Sequence, residues 1–242
     1  WCVPKYSNPQ GIVYSDAVVD RLAALRPAAP DFALMWDNAY CLHEVYGEFV
    51  PFRDMLTLCR EAGNADMVYE FASTSKITFP GAGVAVMAAS EANLKYLSGL
   101  LGAQTISYDK VNQLRHVRFL QDKAHVLELM QRHAAILRPK FEAVLAALRG
   151  IAPLNIASWT EPKGGYFVSC DAMPGTAKRV LALCAEAGVT MTPAGATYPG
   201  GNDPADSNIR IAPSFPPVEE LEQAMQIFCL ALRMAALEKL GI

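Results

Sequence analysis

The 242-residue sequence has no Cys-x-x-Cys pair, no histidine at metal-ligand spacing, no internal repeat and no low-complexity tract. Its six cysteines, Cys2, Cys41, Cys59, Cys170, Cys184 and Cys229, are scattered. A structural zinc site needs clustered ligands, so no metal is expected. Scattered cysteines in a chain of this length read as reduced, small, buried side chains of a cytoplasmic protein. No apolar run approaches the ~18 uncharged residues of a membrane helix. An excess of positive charge is also missing. Lys and Arg number 21 against 24 Asp and Glu, a formal net charge of −3, which leaves no basic footprint for nucleic acid. Nor does the start carry the charged-then-apolar pattern of a secretory leader. It lacks an initiator Met. Trp1-Cys2-Val3-Pro4 reads like the end of a buried strand running into a loop, as expected of a chain cut from something longer.

What is present is material for a core. Hydrophobic residues make up 52% of the sequence and charged ones 19%, which excludes disorder as the main state. The length allows one large domain or two modest ones. Short strand-like runs alternate with helical patterns. Asp16 to Leu25 and Asp54 to Glu61 read as helices. The runs Phe32–Trp36, Met67–Ala72 and Gly83–Ala88 read as strands, the first buried on both faces. Strands alternating with helices imply a mainly parallel sheet in an α/β unit, with ligands beyond the carboxyl ends of its strands.

From Asp109 to Arg149 the pattern is almost continuously helical, kinked or divided at Pro139, and looks like a spine joining two domains. Beyond Pro153 a smaller α+β unit follows. Its expected strands lie near Asn155–Trp159, Tyr166–Cys170, Val189–Thr192 and Ile209–Ala212, and its helices near Thr176–Ala187 and Val218–Leu237. The domain boundaries expected are 1–125 and 126–242.

The strand-end loops carry the chemistry. Asn8-Pro9-Gln10-Gly11 follows the first strand, Asp37-Asn38-Ala39-Tyr40 the second, and Ser73-Thr74-Ser75-Lys76 the third. A lysine at the end of an apolar strand is costly to bury unless it is neutralised, paired or used covalently. Lysine is also the side chain that forms Schiff bases with carbonyl cofactors. Each loop alone has a plainer reading, as a turn, a helix cap or a solvated loop. The four histidines, His43, His116, His125 and His133, read as structural residues without partners.

In this order the three loops, joined downstream by Pro162-Lys163-Gly164-Gly165-Tyr166-Phe167 and Asn208-Ile209-Arg210-Ile211, resemble the class I aminotransferases. These are fold-type I enzymes dependent on pyridoxal phosphate. The wording around Lys76 and in Thr192-Pro193-Ala194-Gly195 is similar to a bacterial aspartate-aminotransferase-like subgroup. The resemblance implies a fold of two parts, residues 1–125 being the C-terminal part of the large cofactor domain and 126–242 the small domain. It implies that Lys76 holds the cofactor as a Schiff base and shuttles the substrate proton. Asp37 would keep the pyridine nitrogen protonated, and Tyr40 and Asn8 would bond the ring's phenolic oxygen. Ser73 and Ser75 would donate to the phosphate, and Arg210 would clamp the substrate α-carboxylate with a bidentate fork. Gly164 and Gly165 would permit close backbone approach. The implied substrates are an amino acid and a 2-oxo acid, aspartate and 2-oxoglutarate first among them, and the implied assembly is a homodimer.

Two departures stand out. Many relatives carry a phosphate-binding arginine shortly after the lysine; here that position falls on or beside Gly83. The glycine-rich phosphate loop, the ring-stacking aromatic and the residue reaching across the dimer, which the family's amino-terminal half supplies, do not precede Trp1. Two other readings remain open on the residues: a lyase or decarboxylase on the same lysine and aspartate, and the cofactor-sensing domain of a DNA-binding regulator.

Overall fold

The structure, a computed structural model, describes residues 1–242. The chain divides into two compact units. The first comprises Trp1–Lys5, Ile12–His43 and Glu48–Gln131; the second comprises Tyr6–Gly11, Glu44–Gly47 and Arg132–Ile242.

The first unit opens with α1 (Asp16–Ala23), started by Ser15, whose hydroxyl accepts the Val18 N–H. Next come β1 (Leu34–Asp37), α2 (Met55–Glu61), β2 (Val68–Ser73) and β3 (Ala85–Ala89). Helices α3 (Glu91–Gln104) and α4 (Lys110–Leu120) follow. The sheet order is β1-β2-β3, with β1 and β2 parallel and Asp37 opposite Phe71. Cys2 extends the parallel sense by a bridge to Trp36. Val19, Leu34, Trp36, Met55, Cys59 and Val68 form the buried core, each large apolar side chain contributing roughly 1.5–3 kcal/mol.

Several expectations are corrected here. Strand β3 runs antiparallel to β2, because the eleven residues 74–84 between them are too few for a parallel crossover. Strand β1 buries Leu34 and Trp36 but leaves Met35 and Asp37 half-buried, so only one face is covered. Helix α3 lies outside the expected elements; none of its residues is fully buried, so its packing imposes no strong apolar face.

The long helical stretch is divided, but not at Pro139. Gln121 adopts φ 54° and ends α4, and α5 (Lys123–Ile151) then runs unbroken through Pro139 from the first unit into the second. Beyond that proline, Phe141, Val144, Leu145 and Leu148 are buried. Their burial outweighs the single backbone hydrogen bond that proline removes.

In the second unit β4 (Ala157–Trp159), β5 (Val168–Ala172) and β6 (Asn208–Ile211) form an antiparallel sheet. Helices α6 (Ala177–Glu186) and α7 (Val218–Leu240) complete it. Val189–Thr192 forms no strand, since the sheet order β4-β5-β6 has no place for it. Phe141, Leu148, Val168, Ile209, Val180 and Phe228 meet in one core. No helix is long and apolar enough to cross a membrane, and no group of three or more His, Cys, Asp or Glu side chains is placed to hold a metal ion.

Candidate active site

In the first unit, β1 and β2 lie side by side in the same direction, so their carboxyl ends reach one edge of the sheet. That edge is where open α/β sheets bind ligands. Asp37 is the last residue of β1 and Ser73 the last of β2. Asp37 Oδ2 accepts a hydrogen bond from Trp1 Nε1 at 3.3 Å, and Trp1 stacks on Phe71 with ring centres 5.9 Å apart.

Beyond Ser73 the chain makes one helical turn: the N–H groups of Ile77 and Thr78 both donate to the Thr74 carbonyl, at 2.9 and 2.8 Å. The Ser73 and Ser75 hydroxyl oxygens lie 2.7 Å apart. Lys76 sits in this turn and is exposed, in contrast to the buried strand end expected of it. Its Nζ lies 4.9 Å from the centre of the Tyr40 ring, and Tyr40 is only 5% exposed.

The same turn crowds Gly83. A Cβ on Gly83 would lie 3.1 Å from the Ser75 nitrogen and 3.2 Å from its Cα. Thr74 fixes this approach, its N–H donating to the Val84 carbonyl and its Oγ1 accepting the Val84 N–H, both at 2.9 Å. A side chain at position 83 would require the Ser-Thr-Ser turn to give by a few tenths of an ångström.

Two buried residues behind this edge escaped the sequence reading. Lys5, 3% exposed, donates from Nζ to the carbonyls of Cys41 (3.0 Å) and Val50 (2.7 Å). His43, also 3% exposed, places Nε2 at 3.2 Å from the Lys76 carbonyl and packs edge-on against Tyr40. Three of the four histidines, His43, His116 and His125, therefore have partners. His116 Nδ1 donates to the Asn112 carbonyl at 2.9 Å and its Nε2 meets Thr78 Oγ1 at 2.9 Å. His125 Nδ1 bonds Asp122, and burial pushes the His133 imidazole pKa down. The available signal was proximity: His43 lies three residues past Tyr40, and Lys5 three before Asn8.

The second unit carries the other candidates. Arg210 stands in β6 opposite Ser169. Its Nη1 donates to Asn8 Oδ1 at 3.2 Å and its Nη2 to Thr192 Oγ1 at 3.3 Å. The guanidinium lies 4.7 Å from the centre of the Phe167 ring, and the buried Nε has no protein acceptor. Below it, buried Asn208 holds the strand end, donating to Ser169 Oγ (2.9 Å) and Asp171 Oδ1 (2.7 Å) and accepting from Thr197 Oγ1 (2.7 Å).

The Asn8 loop packs on the Pro162–Phe167 segment, and glycines make that possible. Gly11 has φ +65° and any Cβ on it would collide with the Pro162 side chain; one on Gly165 (φ +80°) would press on Tyr6. Both positions require the absent side chain and the left-handed backbone together. Beside them, burial and the Glu44 carboxylate push the Tyr6 hydroxyl pKa well above its ordinary value.

The sequence pattern of the aspartate amino-transferase family matches residues 1–241. A Mycolicibacterium smegmatis protein described as an inferred aminotransferase is 49% identical over 99% of this chain and 56% of its own length. An aspartate aminotransferase of Corynebacterium glutamicum is 46% identical over 98% of this chain and 55% of its own. The crystal structure of an aspartate transaminase from Corynebacterium glutamicum superposes with a TM-score of 0.97 at 46% identity, covering 99% of this chain and 57% of that one. The chain thus spans a little over half the length of the relatives it matches. Its fold is that of the fold-type I transferases, with one α/β unit and one α+β unit.

Proposed function

The chain belongs to the aspartate amino-transferase family, and from that premise we propose that the protein it comes from transfers the amino group of an amino acid to a 2-oxo acid, aspartate and 2-oxoglutarate being the proposed pair. One observation carries the reading: Asp37 and the Ser73-Thr74-Ser75-Lys76 turn share the carboxyl edge of two parallel strands. In this reading the first unit is the C-terminal part of a large cofactor domain and the second a small substrate domain.

The donor set fits pyridoxal phosphate. An exposed amine is available for its aldehyde, a carboxylate for its ring nitrogen, and paired serine hydroxyls beside a side-chain-free glycine for its phosphate. Bound there, the cofactor would supply an electron sink for the pair left when the substrate Cα loses its proton. Lys76 would hold it covalently and, when released, take and return the proton at Cα. Asp37 would keep a proton on the ring nitrogen. Tyr40 and Asn8 would donate to the phenolic oxygen, and Ser73 and Ser75 to the phosphate. Asn8 suits that role because its Oδ1 already accepts from Arg210, which leaves its amide N–H groups to donate.

Arg210 would bind the substrate α-carboxylate. Phe167 and Thr192 orient its fork, and its unused buried Nε suits a bidentate anion. The free thiols of all six cysteines accord with work in the cytoplasm, and the family resemblance with a homodimer. The test uses the full-length protein. Borohydride reduction in the presence of pyridoxal phosphate is expected to fix the cofactor on the peptide containing Lys76, and loss of the visible absorbance with aspartate should reverse on adding 2-oxoglutarate. An adduct on another lysine, or turnover that ignores the 2-oxo acid, overturns the reading, the latter in favour of a lyase.

A further inference from the structure

We propose that His43 is the positioning residue of this site, setting both the main chain of Lys76 and the ring of Tyr40; the inference rests on the roles given to those two residues above. His43 is 3% exposed. Its Nε2 lies 3.2 Å from the Lys76 carbonyl oxygen. A carbonyl only accepts, so Nε2 carries the proton and donates. The same imidazole packs edge-on against Tyr40, with ring centres 5.6 Å apart and planes at 81°, the arrangement in which aromatic pairs attract. Tyr40 in turn carries Lys76 Nζ 4.9 Å from its ring centre. The three residues close a triangle: imidazole N–H to lysine main chain, imidazole ring perpendicular to phenol ring, phenol ring to lysine ammonium.

The geometry separates this role from simple core filling. A lysine amine hangs on four rotatable bonds, so where it can reach depends on where its backbone is held. The Lys76 backbone lies in a turn outside any strand ladder, and His43 N–H grips it from a segment 33 residues earlier. That segment is itself fixed: the His43 N–H donates to the Tyr40 carbonyl at 3.1 Å, and buried Lys5 ties down the Cys41 carbonyl at 3.0 Å. An apolar residue of the same volume would fill the space and leave the Lys76 carbonyl without this donor. Precise placement of reacting groups matters because small displacements cost large factors in rate.

The experiment compares three variants of the full-length protein. His43→Phe keeps the ring against Tyr40 and removes the N–H. His43→Gln removes the ring and keeps a donor near the Nε2 position. His43→Asn has a donor too short to reach, and serves if the Phe variant does not fold. In the protein loaded with pyridoxal phosphate, His43→Phe and His43→Asn are expected to lower kcat about tenfold, the loss of one positioning hydrogen bond, while KM for aspartate moves less than about twofold. Visible circular dichroism of the bound cofactor should fall with kcat, and His43→Gln should restore most of both. Without cofactor, deuterium exchange of the Ser73–Thr78 peptide should quicken in the Phe and Asn variants and recover in Gln. Equal behaviour of Phe and Gln, or a Phe variant with native dichroism and exchange, overturns the proposal. If the parent protein gains no visible absorbance with pyridoxal phosphate, the transaminase reading fails. The exchange measurement then still decides: loosening in Phe with recovery in Gln upholds the positioning role, and unchanged exchange removes it.

Discussion

Lys76 is exposed while Tyr40 is buried, and an ammonium that stays in water gains only about 0.5–1 kcal/mol from an aromatic face, so the Lys76–Tyr40 contact does little for folding. Two substitutions separate roles at this scale. Asp37→Ala is expected to leave pyridoxal phosphate binding partly intact, because covalent and phosphate anchors remain, while transamination falls by about two to four powers of ten. Near-native turnover would reduce Asp37 to the hydrogen-bond partner of Trp1. Arg210→Lys keeps the charge and loses the planar fork. It should raise KM for all amino-acid and 2-oxo-acid substrates by about one to two powers of ten, the equivalent of a charged hydrogen-bonded contact of ~1.5–3 kcal/mol, with the cofactor spectrum unchanged. An effect confined to dicarboxylates would mean that Arg210 reads the distal carboxylate. Chain order made Asp37, Ser73, Lys76 and Arg210 legible as loop and strand residues of unusual polarity. His43, Lys5 and Thr192 were not legible, because their partners are a backbone carbonyl or a guanidinium far along the chain. Nothing in the local pattern marks those partners.

Elements were legible where burial imposes a period. Helix α7 buries Leu221, Met225, Phe228 and Leu232 on one face, and that stripe is plain in the sequence. Helix α3 only partly buries Leu94 and Leu97 and fully buries no residue, so burial imposes no clear period on it. Strand direction was hidden too, since it depends on the length of a connection and not on side chains; 74–84 reads as a loop in either sense. Caps are a finer signal. Asp54 starts α2, Oδ1 accepting the Thr57 N–H at 3.1 Å and Oδ2 the Thr57 hydroxyl at 2.7 Å. Those bonds, the hydroxyl's first, hold its carboxyl pKa below the ordinary 3.8. Asp54→Ala should therefore destabilise the first unit by about 1 kcal/mol near pH 7. A depressed folded pKa means the contribution exists above pH ~4 and is lost as pH falls through the folded value. Urea unfolding at pH 7 should separate variant and parent, and at pH 3 the gap should narrow. A constant gap across that range would show that the carboxylate is not the capping species.

At the scale of the whole chain, each unit has its own core and each core its own buried thiols. Cys59 lies in the first; Cys170, Cys184 and Cys229 lie together in the second. Burial pushes the thiols up, Cys59 to about 11, Cys170 to about 12 and Cys184 to about 11, with Cys229 raised as well. The thiolate is the reactive form. At pH 8 a thiol of pKa about 11 is ionised to only about one part in a thousand, and these are also screened from solvent. Cys2 and Cys41 are half-buried. Alkylation of the native full-length protein at pH 8 should thus modify Cys2 and Cys41 well ahead of the other four. In rising urea, Cys170, Cys184 and Cys229 should become reactive together, because one cluster cannot release a single member without opening. Early labelling of one of them would mean that the second core is not a cooperative unit. The pH dependence has a fixed sign. A thiol ordinarily ionises near 9 and burial moves all four higher, so folding keeps them protonated. Their contribution to stability is complete below pH ~9 and is lost as pH rises towards 11–12. The urea midpoint for labelling the second-core thiols should therefore fall between pH 8 and pH 10. Cys170→Ala should weaken that fall, since one fewer thiol then ionises on unfolding; an identical fall in parent and variant would assign the alkaline sensitivity to other groups.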